Sequence, residues 1–504
     1  MPSLVDTLSG ARRVAAHRPW PRLVVGHDAW RDVGHGIAAG ERALLGLWCD
    51  GEAAHLAALD EAAREIVVVS TDCIDGEFPS LSAAHPPALR LERAIRDLYG
   101  IKARGLWDLR PWLDLGFWGV THPRGAHPAE GSATAPYVFL PVDGENLHQI
   151  PVGPVHAGII EPGHFRFTAN GETVVRLEQR LGYVHKGIEK LLAGADLVRG
   201  ARLAGRASGD STVAYAYAFA RAVESALAVE APPRAVWLRA LMAELERIAN
   251  HLGDFGAICN DASFVIMHAE CGILREIVLR AAQACFGHRL MMDRVVPGGV
   301  AADLPPQGAA HLRGLVADIR SRFPTLVELY DNTASLQDRT VTTGVLRPEL
   351  ARQWCPGGYV GRASGRAFDA RRMPGYAPYA ELAFDVPVFT EGDVDARVWV
   401  RIREIEQSLA LIETILDRLP DGPVTAGLPA AGEAREGLAL VEGFRGDVLA
   451  WVRIDAAGRI AHAHLRDPSW FQWPLLEAAI EGNIVADFPL CNKSFNCSYS
   501  GHDL

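Results

Sequence analysis

The stretch PPRAVWLRALMAELERIANHLGDFGAIC, residues 232–259, carries apolar residues three and four positions apart along most of its length. The preceding stretch STVAYAYAFARAVESAL, residues 211–227, has the same spacing. This period places apolar side chains on one face of a helix. Pro232 and Pro233 stand at the start of the longer stretch, a position that tolerates proline. The two stretches predict long helices in a mainly helical body.

The helical pattern continues on both sides of this pair. It predicts helix from Glu172 onward through VVRLEQRLGYVHKGIEKLLAG, residues 174–194, and again over about 270–285, 309–330 and 397–418. Shorter runs have the composition of strands, at residues 137–142, 164–168, 447–453 and 460–465. The body is therefore predicted to be a large helical unit with small β additions.

The chain before this body has a different pattern. Ile66–Ser70 (IVVVS) is β-branched and apolar, as a buried strand would be, and Ala88–Tyr99 predicts an amphipathic helix that ends at Gly100. Residues 121–136 (THPRGAHPAEGSATAP) have no apolar period and are typical of a linker. We predict an α+β protein with a small α/β domain (1–120), a linker (121–150) and the large helical domain (151–504).

Composition excludes several classes of protein. The 504 residues include 50 Lys and Arg against 61 Asp and Glu, and a net charge of −11 argues against nucleic-acid binding. The eight cysteines form no CxxC pair, which indicates reduced, buried thiols in a cytoplasmic protein. The N-terminus has no signal-peptide pattern, and no uncharged apolar run reaches the roughly 20 residues that span a bilayer. Any link to a membrane is expected to pass through another subunit.

Motifs in a fixed order resemble two subunits of respiratory complex I and of related hydrogenases. In the first part, FPSL (78–81) and LERAIRDLYGI (91–101) are similar to the complex I thirty-kilodalton-type subunit. The rest resembles the membrane-bound (group 4-like) nickel–iron hydrogenase large subunit and the complex I catalytic subunit, through GPVHAGIIEPGHFRF (153–167), RLGYVHKGIEKLL (180–192), ELERIANHLGD (244–254), PGGV (297–300), FRGD (444–447) and RDPSW (466–470). The resemblance implies a fusion of these two modules.

The metal-binding cysteines of the hydrogenase pattern are replaced in this chain. The family holds nickel and iron with thiolates from RxCGxC and DPCxxC, since soft sulfur donors suit these metals. Here the first motif reads RASGDS (206–211) and the second DPSWFQ (467–472). The four cysteine positions are occupied by Ser208, Ser211, Ser469 and Gln472. Serine hydroxyls stay protonated near neutral pH, so no metal and no cofactor are expected in this chain.

Three other residues match the hydrogenase pattern, and the resemblance implies their roles. Glu161 matches the glutamate that passes protons away from the metal, Arg445 the arginine above the metal, and Asp467 the acidic residue beside the second motif. A carboxylate in an apolar cavity has a raised pKa and can exchange a proton near neutral pH. Together with the replaced positions these residues are expected to line one metal-free cavity, either a working proton or ligand site or a relic.

Two other ligands are less favoured by the sequence. In complex I the corresponding cavity receives a quinone, approached by a histidine and a tyrosine. Residues 206–211 contain no tyrosine and the loop at Glu161 has the hydrogenase form, which counts against a quinone site of the usual kind. Cys491, Cys497 and His502 offer three ligands in a spacing that is not a zinc pattern, so buried thiols are expected there.

The resemblance implies a large subunit in the cytoplasmic arm of a membrane-bound oxidoreductase, attached to the inner face of the cell membrane through its partners. Those partners are a small iron–sulfur subunit, which carries the cluster, and membrane subunits that translocate ions. The protein is expected to lack a nickel–iron centre and to couple redox or proton events to the membrane module. One alternative is an NADH dehydrogenase-like enzyme that binds quinone in the emptied cavity, with quinone and NAD binding implied only at the level of the family. Another is a purely structural assembly subunit.

Overall fold

The structure, a computed structural model, describes residues 2–131, 137–157 and 160–504. Short elements around one main sheet form the N-terminal region. In chain order they are α1 (Leu4–Thr7), β1 (Arg12–Arg13), β2 (His17–Arg18), β3 (Arg22–Val24), α2 (His27–Ala38), β4 (Ala43–Cys49), β5 (Ala53–Asp60), β6 (Glu65–Asp72), β7 (Glu77–Pro79), α3 (Leu89–Tyr99), β8 (Lys102–Arg104), β9 (Val120–Thr121) and β10 (Ala129–Glu130).

The main sheet of this region has the order β1-β3-β6-β5-β4, with β3 and β6 parallel and the other pairs antiparallel. The predicted strand at 66–70 lies inside β6, where Ile66–Val69 are fully buried. The predicted amphipathic helix is α3, and Gly100 ends it in the left-handed conformation at φ 74°. Both predictions are confirmed.

The rest of the chain forms the helical body. Its elements are β11 (Leu147–Val152), β12 (His164–Asn170), β13 (Thr173–Arg180), α4 (Ile188–Leu192), α5 (Leu197–Ala204), α6 (Thr212–Leu227), α7 (Pro233–Asp261), α8 (Val265–Phe286), β14 (Val295–Val296), β15 (Gly299–Val300), α9 (Gly308–Asn332), α10 (Ala334–Thr340), α11 (Pro348–Trp354), α12 (Gly358–Arg362), α13 (Val394–Arg418), β16 (Arg435–Glu442), β17 (Asp447–Ile454), β18 (Ile460–Arg466), α14 (Ser469–Ala479), α15 (Phe488–Phe495) and α16 (Tyr499–Asp503). The mixture of helix and sheet confirms the α+β class.

One predicted helix is wrong. Residues 173–180 form strand β13, which pairs antiparallel with β12 to give the sheet β11-β12-β13, and helix returns only at Ile188. The start of the segment alternates with a period of two, since Val174 and Leu177 are buried while Thr173 and Val175 are exposed. Pairing with β12 and packing against α14 outweigh the helical spacing. The predicted strand at 137–142 has no regular structure, and residues 132–136 of the predicted linker lie outside the described residues.

Helices α6 and α7 occupy the middle of the body. Helix α6 packs on the sheet β18-β17-β16-β2, and at Gly437 of β16 an added Cβ would lie 1.9 Å from the Ala222 carbonyl oxygen. The close approach of α6 to β16 therefore requires glycine at 437. Strand β2 adds to the same sheet in parallel with β16, because His17 and Arg18 pair with Glu436 and Gly437. The N-terminal region and the body thus share a sheet.

The core also contains a network of charged side chains. Arg362, fully buried, donates to Glu404 at 2.8 Å and to Glu442 at 2.9 Å. Nearby, Arg371 pairs with Glu244 at 3.0 Å and with Asp369 at 2.7 Å. Buried charges are tolerated when paired in this way, and removal of one partner is costly. In the part of the chain that is described, no helix is long and apolar enough to cross a membrane.

Candidate functional site

The structure brings the four replaced cysteine positions together. Ser208 and Ser211 lie in the turn before α6, and Ser469 and Gln472 lie in the first turn of α14. All four side chains are buried. The C-terminal tail, residues 496–504, enters between the two turns and contacts both.

Ser498 of this tail links the two turns. Its hydroxyl lies 2.8 Å from the Ser208 hydroxyl, and its backbone N–H donates to the Ser469 hydroxyl at 2.8 Å. The carbonyl of Ser498 accepts from the Trp473 indole at 3.2 Å. The space between the replaced positions is therefore filled by protein atoms.

Gln472 takes part in the wall of the same region. Its carboxamide nitrogen donates to the carbonyls of Gly357 at 3.1 Å and Arg445 at 2.9 Å. Its carbonyl oxygen lies 3.9 Å from the Cys497 sulfur. The carboxamide therefore fixes two backbone segments and the tail, in the place where the hydrogenase pattern has a thiolate.

Arg445 and Asp210 form the main ion pair of the site. The guanidinium donates to the Asp210 carboxylate at 2.7 Å, to the Ser211 hydroxyl at 3.2 Å and to the Asn496 carbonyl of the tail. Burial raises the pKa of Asp210, but the Arg445 charge outweighs it and the net pKa lies below the ordinary value. Asp210 was not among the residues predicted from the sequence, although it stands between the two serines of RASGDS.

Asp467 lies on the opposite side of the tail and is also satisfied. It accepts from the Tyr215 hydroxyl at 2.7 Å and from the Ser469 N–H at 2.9 Å. Burial, together with this carboxylate, raises the pKa of Tyr215 well above its usual value. An added Cβ at Gly501 of the tail would lie 2.3 Å from Asp467 Oδ2, so the tail packs against the carboxylate without space for a larger residue.

Glu161 has different surroundings from those expected. It is exposed, and its carboxylate accepts from the Ser500 N–H of the tail at 3.0 Å. Its hydrogen bond is to the tail and does not involve Arg445 or Asp467. The expectation of a carboxylate enclosed with them in an apolar cavity is wrong for Glu161, because the tail lies between. Gly158 and Ile159 of the same motif lie outside the described residues.

A buried carboxyl does stand next to the site. Glu246 of α7 accepts the N–H groups of Val213 at 2.7 Å and Ala214 at 3.1 Å, at the start of α6. Burial, together with the negative charge of Asp210, raises its pKa to about 8. The sequence shows it only as one acidic residue of the motif ELERIANHLGD. Its location makes it the proton-exchanging group that the sequence analysis sought at Glu161.

Comparisons with known proteins agree with the motifs. Residues 262–437 match the family "Respiratory-chain NADH dehydrogenase, 49 Kd subunit", and residues 52–131 match its "30 Kd subunit". Hydrogenase-4 component G of Escherichia coli (strain K12) is 31% identical over 497 residues, which is 95% of this chain and 84% of that protein. This chain belongs to the family of complex I 49-kDa subunits and membrane-bound hydrogenase large subunits.

Other members of the family show the same two-module arrangement or fold. Formate hydrogenlyase subunit 5 of Escherichia coli (strain K12) is 31% identical over 87% of this chain and 79% of its own length. The fused C/D polypeptide of the NADH-quinone oxidoreductase of Phocaeicola vulgatus is 31% identical over 77% of this chain and 80% of its own length. A chain of the membrane-bound sulfane sulfur reductase, an archaeal respiratory membrane complex, superimposes with a TM-score of 0.68 at 27% identity, covering 72% of this chain and all of that one.

The residues of this hydrogenase-related large subunit do not fit a nickel–iron centre. The donors at the four positions are three hydroxyls and a carboxamide, and a nickel–iron centre needs soft thiolates. Ser498 also fills the space between them. Among the described residues, no group of three or more His, Cys, Asp or Glu side chains is arranged to hold a metal ion.

The cysteines of the tail are buried thiols. Burial raises the pKa of Cys491 to about 11 and the pKa of Cys497 further above its usual value. His502, the third residue considered with them, stacks on Trp470 with ring centroids 4.0 Å apart and has its Nδ1 2.9 Å from the Asp503 carboxylate. These contacts engage the tail in packing.

Proposed function

We propose that this chain is the large subunit of the peripheral arm of a membrane-bound oxidoreductase complex, and that it works without a nickel–iron centre. The observation that carries the proposal is the position of Ser498, which is hydrogen-bonded to both turns that would hold the metals. Its relatives include subunits of hydrogenases and of NADH-quinone oxidoreductases. In such a complex this chain couples redox or proton events to a membrane module.

The partners follow from the same family. We assign residues 1–120 to a thirty-kilodalton-type module, 121–150 to a linker and 151–504 to the large-subunit module. A small iron–sulfur subunit would bind the large-subunit module and supply the cluster, while this chain holds no cofactor. Membrane subunits that translocate ions would hold the assembly on the inner face of the cell membrane.

The residues around Ser498 suggest how coupling would work. Loss of a proton from Glu246 adds a negative charge close to Asp210, which already pairs with Arg445. Arg445 also donates to the Asn496 carbonyl, so a change in this charge balance acts directly on the tail. Proton exchange at Glu246 would therefore bias the position of the tail and of the turns that it contacts.

The first experiment is to purify the intact complex and measure its nickel and iron per large subunit. We expect iron from the partner's cluster and no nickel, and about one nickel per chain would overturn the proposal. The second is to measure the coupled activity of Glu246→Gln and Asp210→Asn complexes, with Glu161→Gln as the matched variant of an exposed carboxylate. We expect the two buried variants to lose coupling while Glu161→Gln keeps it. Full activity in all three would favour the purely structural role.

A second candidate is a quinone oxidoreductase, and one pair of residues favours it. The Tyr499 hydroxyl lies 3.3 Å from His156 Nε2, beside a pocket of about 240 Å³ that Lys493 and Asn496 also line. A tyrosine and a histidine approach the quinone in complex I, and here the tyrosine comes from the tail instead of residues 206–211. If quinone is reduced there, Tyr499→Phe raises the KM for quinone, whereas Tyr217→Phe, on α6, does not. An unchanged KM in both variants would exclude this candidate.

A further inference from the structure

A separate cavity of about 300 Å³ lies between the N-terminal region and the body. Helix α3 and strand β4 form one side, and β18, the segment 185–190 and the chain end at Leu504 form the other. Most of its wall is aliphatic or aromatic, including Leu91, Ile95 and Trp118. Its size and apolar wall are those of a small-molecule site. It contains none of the residues discussed above around Ser498.

Four residues in this wall carry buried polar atoms that have no hydrogen-bond partner among the described residues. They are the indole nitrogens of Trp48 and Trp470, the hydroxyl of Tyr99 and Nε2 of His464. All four side chains are more than nine-tenths buried. Native proteins pair nearly all such groups, because an unpaired buried donor costs about 1–3 kcal/mol. Four of them around one cavity indicate that a bound molecule completes the wall.

The charges of the wall are already paired, so they do not call for an ionic ligand. Arg124 forms an ion pair with the Glu189 carboxylate, which also accepts from His464 Nδ1 at 2.7 Å. The terminal carboxyl group of Leu504 accepts from the backbone N–H groups of Lys186 and Gly187 at 2.8 and 3.0 Å. Since Nδ1 of His464 donates to Glu189, Nε2 of the neutral ring is an acceptor.

We propose that this cavity binds a small, uncharged aromatic molecule that carries a carbonyl or similar oxygen. The flat apolar part packs against the aliphatic and aromatic wall. The oxygen accepts a hydrogen bond from an N–H or O–H of Trp48, Trp470 or Tyr99, the donors without a partner. A ligand in this position would touch both α3 and the body, and so would stabilise the contact between them.

The test uses two probes of similar shape, 2-acetonaphthone and 2-ethylnaphthalene, and equilibrium dialysis against the full chain and against the purified complex. We expect one binding site per chain for the ketone. Its affinity relative to the hydrocarbon should exceed the ratio of their octanol–water transfer by about fivefold or more, because the hydrocarbon leaves the donors unpaired. Ala94→Phe, which fills the cavity from α3, should abolish binding of both probes.

Three single variants identify the donor. In at least one of Tyr99→Phe, Trp48→Phe and Trp470→Phe, the preference for the ketone should fall about fivefold while binding of the hydrocarbon stays the same. Tyr217→Phe removes a buried hydroxyl elsewhere and should change neither probe. The proposal is overturned if neither probe binds, if all three variants keep the preference, or if Ala94→Phe still binds. Binding to the isolated chain but not to the complex would also overturn it, since a partner protein would then fill the cavity.

Discussion

Substitution of Gly501 by alanine tests whether the tail really fills the replaced metal positions. Gly501 lies in α16, and an added Cβ would lie 2.3 Å from Asp467 Oδ2 and 2.8 Å from the Ser498 hydroxyl oxygen. Ordinary carbon–oxygen contacts are about 3.3–3.6 Å, so the tail or the carboxylate must move by about 1 Å. Asp467 is held by Tyr215 and by Ser469, and therefore we expect the tail to move.

The cost follows from the contacts that this movement weakens. Overpacking of a well-packed core costs about 1–3 kcal/mol. Displacement of Ser498 also weakens its hydrogen bonds with Ser208 and Trp473, at about 1 kcal/mol each. Since the tail can relax partly, we expect Gly501→Ala to lower the free energy of unfolding by about 2–4 kcal/mol.

Urea denaturation, followed by tryptophan fluorescence, measures this loss, and carboxypeptidase release of the buried Leu504 reports on the tail itself. Gly272→Ala is the matched control. It lies within α8, its Cβ would have no contact within 4 Å, and alanine there should leave stability unchanged or raise it by about 0.5–1 kcal/mol. If Gly501→Ala unfolds within about 0.5 kcal/mol of the wild type and releases Leu504 no faster, the tail does not fill the site as described.

Three further outcomes are expected. Arg362→Met, which leaves its buried carboxylate partners without a counter-ion, should lower the free energy of unfolding by about 3–5 kcal/mol in urea denaturation, and a loss below about 1 kcal/mol would contradict the network. Burial would raise the pKa of Glu189, but Arg124 and His464 lower it to about 2, so its contribution is present above about pH 4.5 and lost as the pH falls towards 2. The difference in unfolding free energy between wild type and Glu189→Gln should therefore shrink over that range, and a constant difference would contradict the ion pair. Gly437→Ala places a Cβ 1.9 Å from the Ala222 carbonyl oxygen and should lower the thermal midpoint, and an unchanged midpoint would contradict the close packing of α6 on β16.

Most of the helices could be predicted because their spacing repeats over several turns. Helices α3, α6 and α7 have long amphipathic or apolar patterns and well-marked ends. Strand β13 was predicted as helix, because its charged residues at 176, 178 and 180 fit a helical period as well as an alternating one. Only the presence of β12 beside it, outside any local window, decides between the two.

The candidate site was predictable in its positions and not in its contents. The motifs RASGDS and DPSWFQ placed the four replaced positions correctly in one region. The tail could not be placed there, because Ser498 meets Ser208 across 290 residues of sequence. The same contact explains why Glu161 was expected in the site, since nothing in the local sequence shows that Ser500 binds it instead.

The parallel pairing of β2 with β16 has a consequence for how the protein is made. His17 and Arg18 leave the ribosome early, but the strand that completes their sheet follows more than 400 residues later, at Glu436 and Gly437. At synthesis rates of about 5–20 residues per second, this edge waits roughly 20–80 s for its partner. Covalent fusion of the two modules keeps the waiting edge attached to the one chain that can cover it.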